Sequence, residues 1–148
     1  MTPRKITAFV LATLVAGAAT AVAVAATPMS ADQAVAERQA AMKEDGRALR
    51  GSASLTGDKA VAVLEKVKAN YDRLPGLFSK DSVTDKSVAK PIIWQQFDQF
   101  SAIFKKGSDA AAAGIAAAKA GDTAGYQAAI KTIADTCNEC HQSYREKG

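Results

Sequence analysis

Four stretches of the chain place apolar residues alternately three and four positions apart, the spacing that collects side chains on one face of an α-helix. The first starts at SADQ, where Ser30 and Gln33 have the separation of a capping box. Its stripe runs Val35, Arg38, Met42 and Leu49, with Gly46 one turn beyond Met42. The second opens near Thr56–Asp58 and carries Ala60, Leu64, Val67, Tyr71 and Leu74 before Pro75-Gly76 stops it. The third is expected to open with Pro91 in its first turn and to carry Ile93, Phe97, Phe100, Phe104, Ser108, Ala111, Ile115 and Ala118. Gly121 ends it, and Asp122 is placed to cap a fourth helix with the stripe Tyr126, Ile130, Ile133, Cys137, Cys140 and Tyr144.

Four helices of this length, mostly joined by short connections, predict an all-α protein, an antiparallel four-helix bundle packed through these seams. The exception is the connection 75–91, whose Ser, Asp and Lys content reads as a solvated loop past one end of the bundle. Its lysines Lys80, Lys86 and Lys90 could form a docking patch, but solvated charge is the preferred reading. Two features do not fit a plain apolar bundle. Arg38 occupies a seam position, and a buried charge is costly without a partner. Aromatic residues make up only 6% of the chain, so a large object inside the bundle would help to fill it.

Residues 1–26 do not belong to this pattern. They begin with a basic pair, Arg4 and Lys5, continue apolar and end in small residues, the layout of a secretory signal cleaved after Ala25 or Ala26. The competing reading is an uncleaved anchor, against which the alanine-rich, small-residue close counts. Residues 27–148 then form the mature domain, about 122 residues and enough for one core. The 19 basic and 15 acidic side chains become 17 against 15 once Arg4 and Lys5 are removed, a net charge of only +2. No basic run interleaves with aromatics, which argues against nucleic acid as a partner. No later stretch is apolar enough to cross a bilayer.

The chemistry concentrates in CNECHQSYREKG, which holds both cysteines and the single histidine of the chain. Cys137, Cys140 and His141 sit at i, i+3 and i+4, on one face of a helix. A zinc site would need about four ligands, and the chain offers three. A redox disulfide of the C-x-x-C type belongs at a helix start after a strand, whereas this pair sits late in a helix. The third reading is covalent haem attachment, the usual meaning of C-x-x-C-H. Two sulfurs then form thioethers with the two vinyl groups while the adjacent imidazole reaches the iron. Export fits, because c-type haem is attached outside the cytoplasm. This reading accounts for most of the motif's features.

A four-helix pattern with C-x-x-C-H in its last helix resembles the cytochrome c′ family, the class II c-type cytochromes, across essentially the whole mature chain. CNECHQSYR and ERQAAMKEDG carry the resemblance most specifically. It implies one covalent haem c, with Cys137 and Cys140 as the thioether positions and His141 as the proximal iron ligand. It also implies that Arg145, one turn after the histidine, lies in the haem environment, and that Arg38 faces a haem propionate. The alternative for Arg38 is a surface side chain on a slightly rotated helix.

The position one turn after Arg38 separates two kinds of family member. An apolar residue there leaves the sixth iron site open to gases such as NO and CO. A methionine there, as in the low-spin cytochrome c-556 type, ligates the iron. Here it is Met42. A seam residue of the first helix facing the fourth is placed to reach an iron held between them, and a thioether is a known haem ligand. Gly46 would allow close approach of the porphyrin or a neighbouring helix. The competing reading is Met42 as core filler. Met29, ahead of the first helix, is a poor candidate. Trp94, Phe97, Tyr126 and Tyr144 are read as ordinary core before porphyrin contacts.

The resulting expectation is a periplasmic one-electron carrier with His141/Met42 ligation and no enzymatic activity. Its rivals are a five-coordinate gas-binding protein and an enzyme using an open iron site for peroxide or nitric oxide chemistry. Unnamed redox proteins are the expected partners. The resemblance also implies a homodimer through the first two helices, although their outward faces carry no decisive apolar patch.

Overall fold

The ends of the helices are set by local chemistry. In the computed structural model, which describes residues 29–80 and 82–147, Ser30 accepts from the Gln33 backbone N–H and the Gln33 side chain accepts from Ser30 N. That reciprocal capping box starts α1, Ala31–Leu49. α2 spans Gly57–Arg73, α3 Phe97–Ala120 and α4 Thr123–Tyr144. The turn from α3 to α4 needs a left-handed residue, supplied by Gly121 at φ 72°, and Asp122 then caps α4 by accepting from Gly125 N. The signal expected over 1–26 lies outside the described residues. Among those described, no helix is long and apolar enough to cross a membrane.

α3 is the spine, packed along α2 on one side and α4 on the other. The four helices alternate in direction, in agreement with the bundle read from the stripes. Leu64, Val67, Phe100, Phe104, Tyr126 and Ile133 are all buried in the shared core. Small residues permit the closest approaches. A Cβ on Gly114 would meet Leu64 Cδ1 at 2.5 Å and Ala129 Cβ at 2.7 Å, so glycine is what lets α3 close on both neighbours there.

Three expectations are corrected. The stretch expected to begin the third helix is a 3-10 turn, Pro91–Trp94, and α3 starts only at Phe97 after a break at Gln96 (φ −123°, ψ 39°). The break rotates the register, and Phe97 ends 38% exposed instead of in the seam. No neighbouring side chain or helix comes within 4 Å of a Cβ built on Gly46, so that glycine serves no close helix approach. The connection 75–91 is not merely solvated. Phe78 and Ser82 are buried, Trp94 Nε1 donates to the Phe78 carbonyl at 3.0 Å, and Gln39 Nε2 donates to the Lys86 carbonyl at 2.9 Å. The far end of this connection pairs with the chain after α4. Lys90 N donates to the Tyr144 carbonyl and Glu146 N to the Val88 carbonyl, around an antiparallel bridge between Ala89 and Arg145. The connection is a strap across one end of the bundle.

Candidate metal centre

Under the strap, α1 and α4 stand apart around a cavity of about 420 Å³, within the range of small-molecule and cofactor sites. α1 presents Arg38, Gln39, Met42 and Lys43 to it, and α4 presents Cys140, His141 and Tyr144, followed by Arg145. Phe78, Ile93 and Phe100 form an apolar floor, and Ser87, Val88 and Ala89 of the strap close one side. The floor is an interlocked aromatic set. Phe100 meets Phe78, Phe104 and Tyr144 edge-on at centroid distances of 4.7, 5.1 and 5.3 Å. Of the four aromatics considered from sequence, Tyr144 alone is in the cavity wall. The Tyr126 hydroxyl instead donates to the Ser52 carbonyl at the opposite end of the bundle.

Arg38 is 3% exposed, which removes the surface alternative. Its Nη1 donates to the Leu77 carbonyl (3.1 Å) and Ser82 Oγ (2.9 Å), and its Nη2 to the Ser82 carbonyl (3.0 Å) and Ser87 Oγ (2.7 Å). The guanidinium also lies 4.5 Å from the Phe78 ring centroid. Each of these partners is neutral, and burial pulls the Arg38 pKa down. A desolvated cation with neutral partners at a cavity wall is a ready counter-charge for an anion inside it. These strap contacts were not legible in the sequence, since the serines lie 44 and 49 residues away.

Two titratable groups of α4, Cys140 and His141, face the cavity. Burial first, then the charges of Cys137 and Glu139, pushes the Cys140 thiol up to about 12. Partial desolvation by the cavity wall, then the positive charge of Arg145, pulls His141 below the ordinary imidazole value although the residue remains solvent-exposed, which favours a ring nitrogen free as a lone-pair donor. Cys137 is on the same helical face one turn earlier but outside the cavity wall, half-buried beside the Tyr71 hydroxyl at 3.3 Å. The structure therefore brings Arg38, Met42, Cys140, His141 and Arg145 to one cavity and leaves Cys137 at its margin.

Beyond the groups singled out from sequence, Gln39, Lys43, Phe78 and the strap residues 87–89 also face the cavity. Phe78 is the one with a sequence signal, an isolated aromatic in an otherwise polar connection.

The donor set excludes ordinary metal sites: among the described residues no group of three or more His, Cys, Asp or Glu side chains could hold a bare ion. The cavity instead has a thioether from α1 (Met42) across from a thiol and an imidazole of α4 (Cys140, His141), an apolar aromatic floor, and cations at Arg38, Lys43 and Arg145. That suits a flat apolar macrocycle bearing carboxylates. The family model described as Cytochrome C′ matches residues 31–145. The chain belongs to the cytochrome c′ family.

Its relatives include a cytochrome c′ of Pararhodospirillum photometricum, 34% identical over 71% of this chain and 84% of the relative. A cytochrome c-556 of Agrobacterium tumefaciens (strain II Chrys) is 35% identical over 76% of this chain and 97% of the relative. Among solved structures, the nitric oxide complex of a leucine-to-alanine mutant of cytochrome c prime from Alcaligenes xylosoxidans is similar at a TM-score of 0.70. It is 26% identical, over 82% of this chain and 100% of that one. The chain is thus a c-type cytochrome with covalent haem c and its iron, in a four-helix bundle.

Proposed function

We propose that this cytochrome is an exported one-electron carrier whose iron is held between His141 of α4 and Met42 of α1. The observation that carries the reading is that these two donors face one cavity from opposite helices. Cys137 and Cys140 are the thioether positions, and Arg38 and Arg145 stand toward the propionates. Bound haem supplies a one-electron couple at its iron. The protein's part is to fix and shield it. His141 offers its imidazole with protonation disfavoured by partial desolvation and by Arg145. Met42 is half-buried against the core and offers a soft neutral donor, which favours a higher potential than a more strongly donating ligand would. Phe78, Ile93, Phe100 and Tyr144 exclude water from the floor.

Arg38 holds a positive charge where carboxylates would sit, and its grip on Ser82 and Ser87 locks the strap over the same site. With His141 and Met42 both holding the iron, its surroundings would change little between oxidation states. The reading places the mature protein, 27–148, in the periplasm after removal of 1–26. It assigns no enzymatic step, because the single histidine is an iron ligand. Redox proteins are its partners, and a second copy of the chain is a further one.

A second reading is a five-coordinate gas binder in which Met42 only lines the distal wall. The similarity to a nitric oxide complex favours keeping it. Absorption spectra of the oxidised and reduced holo-protein, with and without carbon monoxide, separate the two. Low-spin bands with no response to the gas are expected. High-spin bands that shift at once on adding it would move the function to ligand binding.

A further inference from the structure

Tyr71 makes a contact that none of these roles uses. Its ring fills the space a Cβ on Gly107 would need and meets Phe104 edge-on, with centroids 5.7 Å apart. It is 6% exposed, so water does not compete for its hydroxyl. The phenol oxygen stands 3.1 Å from Thr136 Oγ1 and 3.3 Å from Cys137 Sγ. Among the described residues, Tyr71 is the one side chain within hydrogen-bond distance of either cysteine sulfur.

The hydrogens on this chain of atoms can be assigned. Thr136 Oγ1 donates its single proton to the Ile133 carbonyl at 2.7 Å, so it faces Tyr71 with lone pairs only. While Cys137 is a thiol, its S–H points to the Tyr71 oxygen and the Tyr71 O–H to Thr136. Haem attachment changes this count. The thiol adds across a vinyl C=C, forming an S–C bond and placing the S–H hydrogen on the other vinyl carbon, with no oxidant or reductant consumed. The sulfur is then an acceptor only. The phenol proton becomes the one hydrogen left between Thr136 Oγ1 and the sulfur.

We propose that Tyr71 is a positioning residue for the haem, its O–H shared between Thr136 and the Cys137 thioether sulfur. Donation to the sulfur draws electron density from the macrocycle edge and raises the reduction potential. The proposal rests on attachment at Cys137 and is independent of whether Met42 ligates the iron. α2, which contributes nothing to the cavity wall, thereby acts on the cofactor.

The test is the midpoint potential of the holo-protein with and without Tyr71→Phe, measured again in a Cys137→Ala background where Cys140 alone holds the haem. Phenylalanine keeps the ring on Gly107 and Phe104. A lower potential with an unchanged axial-ligand spectrum is expected in the first pair, and no shift in the second. Equal potentials in the first pair, or the same shift in both backgrounds, would overturn the proposal. A change in melting temperature with no change in potential would do so too, reducing Tyr71 to packing.

The unaltered protein gives a check that needs no variant. The thioether C–S band in resonance Raman is expected to move after equilibration in D2O, and a band that stays put counts against the sulfur contact. Peptide mapping should find haem on Cys137, and a haem peptide without it would overturn the attachment and the proposal together.

Discussion

Toward the turn from α3 to α4, Gly114 lets Leu64 and Ala129 close on α3, Ala118 is buried one turn on, and the Tyr126 hydroxyl ties α4 to the Ser52 carbonyl. At the other end of α4, Arg38, Met42, His141 and Tyr144 line a cavity of about 420 Å³ between α1 and α4. The closed end is built from small side chains and one satisfied tyrosine. The open end is built from long side chains whose polar atoms are gathered by the strap or turned toward the cavity. The alternation of small and large residues along one seam thus divides a single bundle into a closely packed part and a part that encloses a cavity. Substitutions at the closed end should alter stability alone, and substitutions at the open end should alter the haem.

The most complete break of that contrast is Cys137→Ala with Cys140→Ala. Haem should then be removed wholly by acid–acetone extraction, whereas it stays with the unaltered protein. Haem retained by the double variant would contradict attachment at these residues. Next, Met42→Ala should convert the iron to high spin and open it to carbon monoxide, while an unchanged spectrum would show that Met42 is not the ligand. Arg38→Ala acts at the open end, on the strap and the cavity together. It strips four hydrogen bonds from the strap, and loss of a buried network of this kind costs about 3 kcal/mol. Chemical denaturation should report the loss, and faster amide exchange should appear at Ser82, whose carbonyl and hydroxyl both lose the guanidinium.

Gly114→Ala tests the closed end. Overpacking against Leu64 and Ala129 should cost about 2 kcal/mol and leave the absorption spectrum as it was. A shifted spectrum would show that the two ends are not independent.

The smallest effect concerns Asp45, which is 4% exposed and accepts from Asn70 Nδ2 at 2.7 Å. Burial is the main cause that pushes its pKa up to about 6, against the pull of Asn70, Arg73 and Lys66 and with the help of Glu44. A carboxyl whose folded value exceeds its unfolded one stabilises the fold below the unfolded value. That contribution fades as pH rises through about 6. Between pH 5 and 7 the unaltered protein should therefore lose about 1 kcal/mol relative to Asp45→Asn, read as the difference between the two denaturation curves. Parallel curves would show that Asp45 does not titrate there.

The strap and the helices differ in how far they could be read from the chain. The α1 start at Ser30, the α3 stop at Gly121 and the α4 cap at Asp122 follow from residues within a turn of one another. The helical face shared by Cys137, Cys140 and His141 is equally local. The start of α3 was misplaced because Pro91 fits the first turn of either an α-helix or a 3-10 turn, and the break at Gln96 carries no residue that announces it. The burial of Ser82 and Asp45 ran against their polarity. It required Arg38 and Asn70 on other elements, 44 and 25 residues distant, to receive them.

By itself the sequence determined what depends on spacing along one helix: four amphipathic helices, their caps, the face shared by Cys137, Cys140 and His141, and an arginine and methionine one turn apart on α1. These are set by 3.6 residues per turn and need no knowledge of neighbours. The tertiary structure alone decided how the helices are rotated and spaced against one another. That fixed which sulfur lies at the cavity wall and which lies under Tyr71, and it gave Arg38 its serine and carbonyl partners. Such contacts arise between surfaces that meet only after the bundle has packed, so no periodicity within one helix encodes them.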